Sequence, residues 1–156
     1  MHAYAQQLIG QIRDSDPWKT DYVYEATSAI PLWDWAQETA AIDMLAEIAG
    51  VVATQYLFFR KDTTNLQATL QSLAVHARTR RQWKHYVGFL KGLRILAETN
   101  WQQRQALEER ICLISALLAD VPHHIWSLDQ VAATYLQRGF LFQANQVLRV
   151  AYAMSQ

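Results

Sequence analysis

This chain lacks most of the material from which catalytic and secreted proteins are built. It has one cysteine, Cys112, so no disulfide forms within it; the apolar run Ile111-Cys112-Leu113-Ile114 predicts a buried structural thiol. Five glycines supply no Gly-rich phosphate loop and no nucleophile elbow. Three prolines beside 51% apolar residues exclude a disordered chain. No apolar run is both long and uncharged: the most apolar stretch, residues 41–59, carries Asp43 and Glu47 and is a poor membrane span. The opening MHAYAQQLIGQIRDSD has no basic segment leading into an apolar core, so no signal peptide is read and a cytoplasmic location is expected. Metal chemistry is equally thin. There is no Glu-x-x-His, and His123-His124, in an expected loop after Pro122, has no further His or Cys at ligand spacing. Asp34/Glu38 and Asp43/Glu47 are carboxylate pairs of the kind found on solvated helix faces. A non-catalytic protein without cofactor or metal is the expectation.

What remains is a helical chain of 156 residues, read as one domain over residues 1–156. Four segments place a capping side chain three residues before Gln: Thr64 to Gln67, Thr79 to Gln82, Asn100 to Gln103 and Ser127 to Gln130. Each opens an apolar-periodic run, which predicts helices over 65–78, 80–98, 101–119 and 127–138, with another over 140–155. Upstream, Pro31 opens one long helix through Trp33, Ile42, Leu45, Ile48 and Val52 to Phe59, and a shorter helix covers 2–13. Residues 14–30 read as a short helix capped by Asp16-Pro17, with an extended Tyr22-Val23-Tyr24 as the alternative.

The most informative pattern lies in residues 125–152, where Leu128, Val131, Ala132, Tyr135, Gly139, Leu141, Ala144, Leu148 and Ala151 fall in sequence. Ala132 and Ala144 suit the closest approach of two antiparallel helices, Gly139 the turn between them, and Leu128, Tyr135 and Leu148 the flanks. From Ala132 the intervals are three to Tyr135, seven to Gly139, twelve to Ala144 and nineteen to Ala151. This segment resembles one tetratricopeptide repeat in full register. A looser echo spans 67–93, through Leu70, Leu73, Ala74, Ala77, Trp83, Leu90 and Leu93, with Tyr86 where the motif takes a small residue. Ala74 and Ala132 lie 58 residues apart, not a multiple of the repeat's period of about 34. The fold class expected is therefore all-α: about seven or eight stacked antiparallel helices, as a tetratricopeptide-like solenoid or an irregular helical array.

Charge divides the chain. Residues 1–60 carry eight acids against three Lys or Arg, and residues 61–104 carry eight basic residues against two acids. An acidic N-terminal helical part (1–60) thus precedes repeat-like hairpins (61–156). On a helix beginning near residue 80, Arg81, Lys84 and Lys91 form one stripe with Arg94 at its edge. That stripe either neutralises the acidic half, within the chain or in a head-to-tail dimer, or binds an acidic partner or nucleic-acid phosphates. Trp83 beside it either packs between helices or stacks a base.

The resemblance implies a protein-interaction module, an adaptor, chaperone or subunit of a larger complex, that holds a peptide or helix of another protein in a groove. It puts Trp126, Asp129, Gln130, Ala133, Leu136 and Gln137 on the concave face, extended by Arg81, Lys84 and Lys91. A homodimer is a further option, a nucleic-acid-binding protein using residues 78–94 is the alternative, and no membrane partner is expected.

Overall fold

The computed structural model describes residues 29–156, which are all-α, with no strand among them. The short helix expected over 2–13 and the segment 14–28 lie outside the described residues. The chain divides into two compact units, one ending at Leu96 and one spanning Ala97–Gln156.

The first unit contains α1 (Ala29–Glu38), α2 (Ile42–Phe58), α3 (Thr64–Thr79) and α4 (Trp83–Leu96). α2 is apolar on nearly every face and buries Met44, Leu45, Ile48 and Val52. It packs on α1 and α4, and α3 packs against α4. Trp33, Ile48, Val52, Leu70 and Phe89 fill this core. α2 and α4 meet through small residues. A Cβ on Gly88 would sit 3.0 Å from the carbonyl carbon of Ala46 and closer still to its oxygen, and one on Gly92 would sit 3.2 Å from the Ala49 oxygen. No side chain fits between the two backbones at Gly88.

The second unit contains α5 (Trp101–Leu117), α6 (Val121–Gln137) and α7 (Leu141–Ser155), with α6 packed on both of the others. Asn100 caps α5, its side chain accepting from the Gln103 N–H at 3.1 Å. Asp120 caps α6, accepting from the His123 N–H at 3.3 Å.

Five turns repeat one device. At Ala40, Arg60, Arg81, Ala119 and Gly139 the backbone enters positive φ, between 51° and 79°. In each, the next N–H reaches back five residues to the last helical turn, as Gln82 does to Ala77 and Phe140 to Tyr135, both at 2.9 Å. Only Gly139 takes this conformation without a Cβ penalty.

This device corrects two expectations. The single helix expected from Pro31 to Phe59 is α1 and α2, separated at Thr39–Ala41 by the positive-φ Ala40. The helix expected from Ser127 begins six residues earlier at Val121, because Asp120 is the cap; the Ser127 hydroxyl instead donates to the His124 carbonyl at 2.7 Å. Thr64 and Thr79 are not caps either. Thr64 donates to Asp62, and Thr79 closes α3 by donating to the Val75 carbonyl.

Candidate functional site

The α6–α7 hairpin places the expected small residues at its seam. Ala132, Ala144 and Ala151 are buried, and Gly139 makes the turn. Ala144 and Ala151 are the only residues that α7 buries. Ten of its fifteen residues are apolar and one, Arg149, is charged. Leu141, Phe142 and Tyr152 are each 68% exposed and Leu148 is 40% exposed. At helical spacing, Leu141, Leu148 and Tyr152 form one stripe alongside the alanine seam. Leu148 was expected to fill a flank of the hairpin; it is instead 40% exposed, beside the 68% exposed Leu141, because α7 is covered only along its alanine seam.

α6 has two unlike faces. Asp129, Leu136 and Gln137 are exposed, and Trp126 and Ala133 are half-buried beside them. Gln130 departs from the expected set: it is buried, on the side that carries Ser127 and Thr134. That side meets a polar seam on α5, where the Thr134 hydroxyl donates to the buried Glu108 carboxylate at 2.7 Å. Gln137 belongs partly to this scaffold, since its amide oxygen accepts from Arg104 of α5. One residue on, Arg138 donates to Gln105 at 2.6 Å and lies 3.6 Å above the Trp101 ring.

The basic residues are distributed differently from the expected stripe. Arg81 is not on a helix; it forms the positive-φ turn between α3 and α4. Lys84 is exposed in the first turn of α4, and Lys91 is half-buried and engaged by neighbours. The exposed cations cluster instead at the turn, as Arg78, Arg80, Arg81 and Lys84.

His124 Nδ1 lies 3.1 Å from the Cys112 carbonyl oxygen and 3.5 Å from Sγ. Donation to that carbonyl places the proton on Nδ1, which leaves no lone pair there to accept the thiol proton. Cys112 is half-buried and not fully enclosed as expected, and His123-His124 occupy the first turn of α6 and not a loop. His123 Nδ1 lies 2.8 Å from Asp120. Among the described residues no three His, Cys, Asp or Glu gather to hold a metal ion, and no helix is long and apolar enough to cross a membrane. The chain matches no protein-family model, no curated protein and no solved structure.

Proposed function

We propose that this protein is a non-catalytic interaction module that binds an amphipathic helix of another protein along α7. The observation that carries this reading is the nearly charge-free outer stripe of Leu141, Leu148 and Tyr152, flanked by Phe142. A helical hairpin of this type is covered by a neighbour on each side, because one pair of helices cannot bury its own apolar faces. α5 supplies the neighbour on the α6 side. On this reading the hairpin acts as one tetratricopeptide-like repeat, and the partner's helix takes the stacking position beyond α7. With no acid and one cation on α7, the complementary surface is apolar and uncharged, and the aromatic rings of Phe142 and Tyr152 act as anchors. The less covered face of α6 adds apolar contact through Trp126, Ala133 and Leu136, and Asp129 supplies a polar contact that sets orientation.

The test is co-purification at native expression level, with nuclease present. A stoichiometric protein that is retained by the wild type and lost from Leu148→Glu/Tyr152→Glu, with helicity unchanged, supports the α7 site. Retention by that variant together with loss from Trp126→Ala/Gln137→Ala moves the site to α6. Retention by both removes the hairpin as the binding surface.

A further inference from the structure

The turn between α3 and α4 carries a feature that the hairpin reading leaves unused. From Thr63 to Ala97 the chain has no acidic residue, while Arg78, Arg80, Arg81, Lys84, Lys91 and Arg94 are all cationic. Lys91 and Arg94 are half-buried and engaged by other groups. The other four are exposed and make no ion pair among the described residues, although they fall within seven positions. Among the carboxylates of the same unit, on α1 and α2, Asp43 lies 2.7 Å from the His85 ring and forms no ion pair with any of the four. Four like charges this close, unpaired among the described residues, repel one another, so a ligand that neutralises them binds with that repulsion in its favour.

The aromatic beside them narrows the ligand. Trp83 lies between Arg81 and Lys84 in the sequence and is 38% exposed. Its contact with Tyr86 is edge-on, with centroids 6.1 Å apart, so Tyr86 does not cover it by stacking. An indole among exposed cations offers a base-stacking surface beside phosphate contacts, and three of the four cations are arginines, whose planar fork matches phosphate oxygens. An acidic peptide would use the charges but has no need of the ring. Arg80 and Arg81 sit on a tight turn, with Arg78 and Lys84 on the two helix ends beside it, so the four do not run along one helix that could lie in a duplex groove. We propose that the α3–α4 turn binds single-stranded nucleic acid, with Arg78, Arg80, Arg81 and Lys84 on the phosphates and a base stacked on Trp83. This site is independent of α7 and stands or falls separately from it.

The test is titration of the full chain with a fluorescently labelled oligothymidylate across a salt series, with polyglutamate of matched length as the second probe. Four phosphate contacts on a single strand give a slope of log K against log salt of about −3, so a fourfold rise in salt weakens binding about fiftyfold. Arg80→Ala/Arg81→Ala/Lys84→Ala, all exposed positions, flattens that slope to about −1. Trp83→Leu weakens binding about 5- to 150-fold with the slope retained. Should Trp83→Leu disturb α4, ultraviolet crosslinking of the oligonucleotide to Trp83 in the wild type, located by mass spectrometry, supplies the same information. Absence of saturable oligonucleotide binding, or a slope untouched by the triple substitution, overturns the proposal. Tighter binding of polyglutamate, indifferent to Trp83, also overturns it and assigns the turn to an acidic protein segment.

Discussion

Three glycines in the first unit share one chemistry and differ only in what an added methyl group would meet. Gly→Ala in a helix interior gains about 1 kcal/mol from reduced backbone freedom in the unfolded chain. At Gly50 the new Cβ meets only the Ile95 Cδ1 at 3.6 Å, ordinary contact, so the gain is kept and Gly50→Ala stabilises by about 0.5–1 kcal/mol. At Gly92 it meets the Leu70 Cδ1 at 3.0 Å and the Ala49 oxygen at 3.2 Å. Leu70 gives way at some cost in a filled core, and Gly92→Ala ends between neutral and about 1 kcal/mol destabilised. At Gly88 every near atom belongs to the Ala46 backbone. Neither partner yields without moving a helix, so the overpacking cost lies at or above the top of the usual range, about 3 kcal/mol, and the net loss is about 2 kcal/mol or more. Urea melts followed by far-ultraviolet circular dichroism read the difference as a midpoint shift of about 1 M for Gly88→Ala. If the two units unfold separately, the shift belongs to the first. Equal stability of the three variants, or Gly50→Ala as the most damaging, would refute the α2–α4 crossing.

Four further outcomes follow from the same geometry. Ala144→Leu places a large side chain in the fully buried α6–α7 seam and lowers stability by about 1–3 kcal/mol in the same melts; a neutral result means the hairpin register is wrong. Gln55 is 1% exposed with no hydrogen-bond partner on either amide atom among the described residues, so Gln55→Met raises stability by about 1–2 kcal/mol, and a loss would reveal a polar contact for that amide. Ala119→Gly removes a Cβ from a positive-φ position and raises the melting midpoint, by up to about 1 kcal/mol of stability, whereas Ala116→Gly inside α5 lowers it. The backbone N–H of Thr64 and then its hydroxyl hold the Asp62 carboxyl below its usual range. A depressed folded value gives stability that is present above the unfolded value of about 3.9 and is lost as pH falls through the folded one. The stability gap between wild type and Asp62→Ala therefore closes in acid melts below about pH 4; a gap independent of pH would contradict it.

Where a backbone requirement is written in a residue type, the fold was legible from the sequence. Ala132, Ala144, Ala151 and Gly139 marked the hairpin because only small residues fit its seam and only glycine turns it freely. The helices over 64–79, 83–96, 101–117 and 141–155 followed from apolar periodicity to within a few residues. The break between α1 and α2 was hidden, since its positive-φ residue is Ala40 and alanine signals a continuing helix. The start of α6 was hidden by Ser127, whose type and spacing imitate a cap while its hydroxyl bonds within the helix.

The candidate site was legible in part. Trp126, Asp129, Ala133, Leu136 and Gln137 do share the less covered face of α6. Gln130 does not, because α5 answers that side with Glu108, which accepts from Thr134, and a polar seam between helices has the same local pattern as a solvated face. The exposed α7 stripe was not legible: in the sequence pattern Leu148 falls on a flank of the hairpin and Tyr152 has no role. An all-round apolar helix with a single charge was the available signal, but coverage depends on a neighbour and not on local sequence.

The most direct measurement is site-specific photocrosslinking from position 152 in cells of the source organism, with position 71, an exposed glutamine on α3, as control. A helix partner on α7 gives one discrete protein adduct at position 152 that disappears with Leu148→Glu and is absent at position 71. No adduct at position 152, or the same diffuse set at both positions, would contradict the claim that α7 is the binding face.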